Sequence, residues 1–483
     1  MKTKSKIYRL ILITCIALTS CKQDFEEINT NPNQPQAISS PSVLLPSVIK
    51  NIANDHFEGS FRRGSVTSDH IAFQFVSTFD WAATDAEEYY GWKTNYRELA
   101  NVYDMIALAD KQHLNNYKGV GLILKSWMFQ KLTDIFGDIP YSEAVQATAN
   151  INYPKYSTQG EIYAGIFRDL EEANNLLGTT NEAVLGDILY GGDMLKWKKF
   201  ANSLRVRAAM RISDRVDPTA VLQQIMSDPN AYPIFESFQD QAALQYIDEF
   251  GNQFPRYRAQ NSSGVSQSLI DRLKAINDPR IHVFAQPTPT SATGQPANFV
   301  YAGVPNGITD AQEAAFNGGP ANQSVVGLLW YSVTFDGRVQ PDAVQALLMT
   351  HSELMFYLAE AAERGFISGN ASEYYLKGIA SSMEYYASRI PAEFIFPTAS
   401  TVIAPASYYA QPSVAYSGTK EDKLKKIHLQ KWISNYMNGF EAWAEWRRTG
   451  YPEIVAGPNS IEGAGGRVPV RFIYPLKEQN LNP

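Results

Sequence analysis

A long amphipathic segment with an abrupt end constrains the fold of this chain more than any other feature. From about Tyr117 its apolar residues recur at intervals of three and four, which places them on one face of an α-helix. Gly137 can end such a helix, and Pro140 prevents the helix from resuming because it holds Ile139 extended. Similar helices recur along the chain, so we predict an all-α scaffold whose irregular loops carry the function.

Helical periodicity and helix-ending residues predict several further elements. The segment Tyr96 to His113 should form a helical hairpin with the helix from Tyr117, with its turn at Asn115-Asn116. The remaining predicted helices are Ser42 to Asn54, Gln159 to Leu177 with its stop at Gly178, Leu195 to Arg215, the segment from Pro341 to Gly365, the partner segment that ends before Pro391, and a last long helix that runs through "GFEAWAEWRRTGYPE" to Pro452. The pair on either side of Gly365 is typical of tetratricopeptide hairpins, although no regular 34-residue period runs through the chain.

Residues 229–340 interrupt this helical pattern. The stretches "PRYRAQNSSG", "QPTPTSATGQPANFVYAGVPNG" and "NGGPANQS" have turn and loop compositions without a sustained period. A structureless segment of this length is uncommon in a folded domain unless it is functional. We therefore predict a large irregular insertion on the binding side of the fold, between helical parts at 42–228 and 341–483.

The first residues predict export and a lipid anchor. Residues 1–20 combine four cationic residues with a short apolar run, as in a signal peptide, and the run is too short to span a bilayer. Leu18-Thr19-Ser20-Cys21 fits a lipobox, so Cys21 becomes the first, acylated residue; the alternative is an ordinary secretory signal with an incidental cysteine. Residues 21–41 are polar and rich in Asn and Pro, which predicts a flexible tether.

Charge argues against nucleic acid as a partner. Removal of residues 1–20 leaves 38 Lys and Arg against 49 Asp and Glu, and the net charge changes from −7 to −11. The face of the Leu195 helix that carries Arg205, Arg207, Arg211 and Arg215 should therefore pair with carboxylates on neighbouring helices. In "EAWAEWRRTGYPE", Arg447 and Arg448 should form an ion network with Glu441 and Glu445, and Asp138 should accept backbone N–H groups.

The sequence contains no catalytic motif that we recognise. Its six histidines are never within four residues of one another, which excludes a zincin motif, and the only cysteines are Cys15 in the signal segment and Cys21. No phosphate-binding loop or nucleophile elbow is present. We therefore predict no catalytic residue, no metal and no cofactor, while a glycosidase pair of carboxylates from distant positions stays open.

Aromatic residues in loops are the better candidates for a ligand site. Sugar rings present C–H faces that pack on aromatic rings, and their hydroxyl groups bond to amide, carboxylate and guanidinium groups. The candidate ligand-binding residues are Asp80, Trp81, Tyr89, Tyr90, Arg256, Tyr257, Asn261, Trp330 and Tyr331. The alternative for each aromatic residue is a core anchor, and Trp92 and Trp330 fit that alternative best. Trp81 lies between Asp80 and two alanines, and we expect it to be exposed.

Several motifs resemble those of the SusD/RagB family, the surface glycan-binding lipoproteins of Bacteroidetes, and in particular its SusD-like branch. They are "NTNPNQP", "TDIFGDIPYSEA", "LYGGDMLKWKKFANSLRVRAAMRIS", "SELMFYLAEAAERG", "GFEAWAEWRRTGYPE" and "RVPVRFIYPLKEQNLN". They follow the family's order from one end of the chain to the other. The resemblance implies a single SusD-like domain over residues 42–483, and it offers no motif from which ligand residues can be transferred.

The same resemblance implies a function and a location. The protein would be a lipid-anchored, outward-facing outer-membrane protein that captures an oligosaccharide. It would then deliver that ligand to a SusC-type TonB-dependent barrel, without catalysis. Alternatives are a peptide-capturing member of the same family, an all-α glycoside hydrolase, and a scaffold without ligand.

Overall fold

Paired helices build most of the protein. The computed structural model describes residues 39–73, 91–246, 263–330, 344–458 and 468–482. In these ranges, the helices of nine or more residues are α1 Leu45–Gly59, α2 Trp92–Lys111, α3 Asn115–Phe136, α4 Gln159–Leu176, α5 Met194–Arg211, α6 Thr219–Ser227, α7 Gln267–Ala275, α8 His351–Arg364, α9 Ala371–Arg389, α10 Lys420–Ser434 and α11 Gly439–Thr449. Shorter helices are Ser65–Thr67, Ile281–Phe284, Pro289–Ala292, Asp310–Ala315, Ala399–Val402, Ala406–Ala410 and Leu476–Leu481. A π-helical turn, Ser60–Gly64, follows α1.

The strands are short and pair antiparallel in the described ranges. They are β1 Ile71–Phe73, β2 Ile139–Pro140, β3 Tyr156–Ser157, β4 Ala242–Gln245, β5 Ser263–Val265 and β6 Gln345–Met349. β1 pairs with β5, β2 with β3, and β4 with β6. The β1–β5 and β4–β6 pairs join segments that are distant in sequence, and the all-α fold class is confirmed.

α3 is the central helix and is buried on nearly every side. Its cationic residues are paired: Lys125 Nζ lies 2.8 Å from an Asp169 oxygen, and Lys131 Nζ lies 2.5 Å from an Asp55 oxygen. The predicted stop is confirmed, because Gly137 has φ +85° and its N–H donates to the Thr133 carbonyl. The turn to α2 is at Gln112 to Leu114, so the prediction of a turn at Asn115-Asn116 was wrong by about one helical turn.

The predicted helices around α3 are confirmed with small changes at their ends. Thr158 and Glu161 form a capping box that begins α4, and Gly178 follows its end with φ +73°. α5 ends at Arg211, four residues before the predicted Arg215. The α8–α9 hairpin turns at Gly365, as predicted, and Gly378 lets α9 approach the ring of Phe356 closely.

Three predicted features are corrected by the structure. Leu347 belongs to β6 rather than to a helix, because residues 345–349 pair with β4. The last long helix is divided into α10 and α11, with Met437 at φ +67° between them. The irregular insertion contains α7, which begins where the Ser266 hydroxyl accepts the Leu269 N–H at 3.2 Å.

Candidate ligand-binding groove

An open groove lies in the insertion, on the side of α7 where that helix ends. It has a volume of about 770 Å³ and is bounded by the end of α7, the short helix Ile281–Phe284 and the loops around Phe299 and Phe396. A tight turn at Asn277, with φ +49°, ends α7 and leads into this short helix. The groove therefore joins the insertion to the loop that follows α9.

Aromatic rings form one part of the groove lining. Phe299 and Phe396 are half-buried, and their rings meet edge to face with centroids 5.4 Å apart. His282 contacts Phe396 in the same way at 5.1 Å. Because these rings contact one another and still line the groove, they offer a fixed apolar surface of the kind on which a sugar ring packs.

Neutral hydrogen-bonding groups lie next to these rings. The Nδ1 atom of His282 is 2.9 Å from the Tyr301 hydroxyl. Burial lowers the pKa of His282, and burial raises the pKa of the Tyr301 hydroxyl, so both groups are uncharged near pH 7. Asn277 and Thr401 add amide and hydroxyl groups to the lining.

A buried ion pair holds Asp278, one of the residues that line the groove. Arg280 is fully buried, and its guanidinium donates to both carboxylate oxygens of Asp278 at 2.9 and 2.6 Å. The Tyr408 hydroxyl donates to Asp278, and Arg280 also donates to Gln430 on α10. Among the described lining residues Asp278 is the only acid, and its oxygens are already occupied.

Most of the ligand-binding residues predicted from sequence lie outside the described residues. These are Asp80, Trp81, Tyr89, Tyr90, Arg256, Tyr257, Asn261 and Tyr331, and the lipidation candidate Cys21 also lies outside. The described residues that flank these segments are neighbours, because Phe73 pairs with Ser263 and Gln245 pairs with Gln345. Each of the segments 74–90, 247–262 and 331–343 therefore adjoins one of these two strand pairs in sequence.

Trp330 has to be corrected as a candidate for ligand stacking. Its side chain is 5% exposed, and its ring lies 5.2 Å from Tyr436 and 5.9 Å from Tyr386, measured between centroids. A stacking platform must present a ring face to solvent, and here aromatic neighbours cover the ring. Trp330 is thus a core anchor, as is Trp92, which is 7% exposed.

The aromatic residues of the groove are not among the candidates predicted from the sequence. Phe299 and Tyr301 are in "QPANFVY" and Phe396 is in "PAEFIFP". In both segments aromatic residues are next to proline and small residues, as in a loop that presents rings. That local signal existed, but only the folded chain shows that the two segments meet.

No group of three or more His, Cys, Asp or Glu residues within the described ranges could hold a metal ion. No helix in the described part of the chain has the length and hydropathy of a membrane span.

Comparisons with known proteins place this fold in a family. Residues 32–475 match the family SusD-like_2, described as "Starch-binding associating with outer membrane". No curated protein matched the sequence.

Solved structures give the same result. A SusD homolog from Bacteroides fragilis is 26% identical, with a TM-score of 0.77, and the alignment covers 92% of this chain and 94% of that chain. A Bacteroides vulgatus protein, for which an outer-membrane nutrient-binding role has been suggested, has the same identity, coverage and TM-score. A chitin-binding protein is 28% identical, with a TM-score of 0.73 and the same coverage. This chain therefore belongs to the SusD-like family, whose members are nutrient-binding proteins associated with the outer membrane.

Proposed function

We propose that this protein captures an oligosaccharide at the cell surface and delivers it to a SusC-type TonB-dependent barrel in the outer membrane. The observation that carries this proposal is the open groove with fixed aromatic rings, within a chain of the SusD-like family. The lipid on Cys21 would hold the protein at the outer leaflet, and the ligand would bind without covalent chemistry.

The groove has the chemical groups that bind a neutral sugar chain. Phe299 and Phe396 supply apolar ring surface, while His282, Asn277 and Thr401 supply uncharged hydrogen-bonding groups. A volume of about 770 Å³ is large enough for a ligand of several rings. The similarity to a chitin-binding protein makes N-acetylated oligosaccharides a suitable first probe.

Binding without hydrolysis agrees better with the groove than turnover does. A glycoside hydrolase of the usual kind needs two carboxyl groups across the scissile bond, one of them protonated. The described lining contains the single acid Asp278, which is held by Arg280 and Tyr408. An all-α glycoside hydrolase is therefore the less favoured alternative.

Substitution of the groove aromatics tests this proposal. We expect Phe299→Ala and Phe396→Ala each to weaken oligosaccharide binding about 3- to 10-fold, since aromatic packing contributes about 0.5–1.5 kcal/mol. Isothermal titration with chito- and malto-oligosaccharides and with short peptides measures this change. Ile395→Ala is the matched control, because Ile395 is 76% exposed and is not part of the groove lining.

Four results would contradict the proposal. Release of shorter sugars would indicate a hydrolase, preference for peptides would indicate the peptide-capturing alternative, and no binding of either class would indicate a scaffold. If no barrel protein co-purifies with this protein, delivery of the ligand to a SusC-type barrel is contradicted. A Trp81→Ala variant in the same titration tests whether the segment at 74–90 contributes to binding, as we propose for Asp80, Trp81, Tyr89 and Tyr90.

A further inference from the structure

A second pocket lies apart from the groove, at the β4–β6 strand pair. It has a volume of about 320 Å³ and shares no described lining residue with the groove. Alternate residues of a strand point to the same face, so Gln241, Ala243 and Gln245 line the pocket while Ala242 and Leu244 are in the core. Ala243 leaves space between the two amide side chains.

The amide groups of this pocket are held in fixed positions. The Gln345 side chain donates to the Gln245 side-chain oxygen at 3.1 Å, and Gln245 donates to the Tyr246 carbonyl at 2.9 Å. Arg389 of α9 donates to the same Gln245 oxygen at 3.0 Å. Gln239 is exposed at the rim. Amides that both donate and accept hydrogen bonds match the hydroxyl groups of a sugar, which also do both.

The charge of the pocket is opposite to that of the whole chain. Lys196 and Arg389 line it, and no Asp or Glu is among its described lining residues, whereas the chain has a net charge of −7. Asp240 adjoins the lining residues Gln239 and Gln241 in sequence. Its carboxylate lies 2.9 Å from Lys199 Nζ, and it also attracts Lys196. A third pocket, which borders this one at Phe238 and Gln239, is lined by Glu236, Lys377 and Glu384.

Aromatic rings complete the lining. Phe238 and Tyr385 contact each other at 6.4 Å between centroids, and the Tyr190 hydroxyl donates to the Asp240 carbonyl at 3.0 Å. The pocket therefore combines ring surface, fixed amides and two cations. A neutral sugar would contact the rings and the amides, and only an acidic sugar would also pair with the two cations.

From this combination we infer that the amide-lined pocket binds a carboxylate-bearing unit, a uronic acid, of the captured oligosaccharide. Lys196 and Arg389 contact the carboxylate, and the glutamine amides contact the hydroxyl groups. Charge-assisted hydrogen bonds of this kind are about twice as strong as neutral ones, which makes the carboxylate the discriminating group. This inference rests on the proposed function, because it names the class of oligosaccharide.

The test compares one sugar chain in two charge states. Full-length protein is titrated with a uronic-acid oligosaccharide and with its carboxyl-reduced, neutral counterpart. We expect the acidic form to bind about tenfold more tightly at low salt, and this preference to shrink at ~1 M salt, where the Debye length is about 3 Å. Lys196→Gln should remove most of the preference, because one of the two cations that contact the carboxylate is lost.

Lys198→Gln is the matched control on the same helix, because Lys198 is not part of the pocket lining. Equal binding of the two sugars, or an equal effect of both lysine substitutions, would overturn the inference while the proposed function stands. Displacement of the acidic sugar by a short peptide with a free carboxyl terminus, but not by its amide, would assign the pocket to peptides and overturn it as well. If neither of these two sugars binds, and the chito- and malto-oligosaccharides do not bind either, the proposed function itself is refuted. Thermal unfolding of each variant shows whether it is folded.

Discussion

Buried charges form a connected set of ion pairs at the centre of the helical frame. Arg211 contacts Asp134 at 2.7 Å and Glu445 at 2.9 Å, and it also contacts Glu441. Arg448 donates to both carboxylate oxygens of Glu360, at 2.7 and 2.6 Å. Burial opposes ionisation of Glu360, but Arg448, His428 and Lys431 together outweigh it and lower the pKa of that carboxyl to about 2.

The predicted pairing of arginines with carboxylates is confirmed for several residues and corrected for Arg447. Arg205, Arg207 and Arg211 meet acids on neighbouring elements, and Arg448 meets Glu445. Arg447 instead donates to the backbone carbonyls of Val470 and Asp134, and its guanidinium lies 3.8 Å from the Trp443 ring centroid. Asp138 accepts a backbone N–H, but the donor is Gln159 at the start of α4, at 2.9 Å, and not a residue of its own turn as predicted.

His351 should make the stability of the protein depend on pH. Burial lowers its pKa from 6.5 to about 4, an effect that Asp240 opposes and Lys377 supports. Between these two pH values the unfolded chain binds a proton that the folded chain does not, so the free energy of unfolding falls as the solution is acidified through this window. Chemical denaturation should show a contribution of up to about 1.4 kcal/mol per pH unit, which His351→Gln removes.

The control for this prediction is Ser381→Ala. The Ser381 hydroxyl lies 2.8 Å from His351 Nδ1, so this variant loses a hydrogen bond and keeps the imidazole. It should be less stable than the wild type while its pH dependence between pH 6.5 and about 4 persists. If the free energy of unfolding of His351→Gln depends on pH as steeply as that of the wild type, His351 does not titrate in the expected way.

At the scale of elements, local signals were reliable where a helix is long and has an explicit end. α3 and α4 agree with their periodicity and with Gly137 and Gly178. The sequence predicts a helix over Gln345–Met349, but a run of five apolar or neutral residues fits a helix and a strand equally well. The run forms a strand because it pairs with β4, which is about 100 residues away in sequence.

The contact between the start of α11 and the π-helical turn after α1 depends on two glycines. A Cβ atom on Gly439 would overlap the backbone of Gly64 and Ser65, which leaves no flexible group to move aside. We expect Gly439→Ala to destabilise the protein by about 1–3 kcal/mol, as overpacking does elsewhere. Urea denaturation measures the change in free energy of unfolding.

Gly160→Ala is the comparison for that variant. Gly160 is in the first turn of α4, and an added Cβ would have nothing within 4 Å. Because alanine favours a helix by about 0.5–1 kcal/mol, this substitution should be neutral or stabilising. Equal stability of the two variants would refute the close approach of α11 to the turn after α1.

At the scale of the whole molecule, the residues from Pro41 onward form one unit, and the proposed anchor lies before it. We expect Cys21→Ser to abolish incorporation of labelled palmitate and to release the protein from the membrane fraction, since Cys21 would be the acylated residue. Surface protease treatment of intact cells would then measure the orientation of the anchored protein.

Cys15→Ser provides the control for the anchor. Cys15 lies in the apolar run of the predicted signal peptide, so its loss should leave labelling intact. Palmitate incorporation that survives Cys21→Ser would favour an ordinary secretory signal over a lipobox.

The sequence by itself determined the helical class, the helix ends at Gly137 and Gly178, and the family. These depend on the spacing of apolar residues, on glycine and proline at helix ends, and on motifs in a fixed order, all of which can be seen within short segments. It also predicted that the insertion carries the binding function, which remains a proposal.

Only the tertiary structure decided which residues share a site. Phe299 and Phe396 are almost a hundred positions apart, and so are Gln245 and Gln345, yet each pair lines a single cavity. Trp330, which was a candidate on composition, became a core residue because Tyr386 and Tyr436 lie against it. Proline and small neighbours indicate a loop around Phe299 and Phe396, but only long-range contacts decide whether an aromatic ring faces solvent or the core.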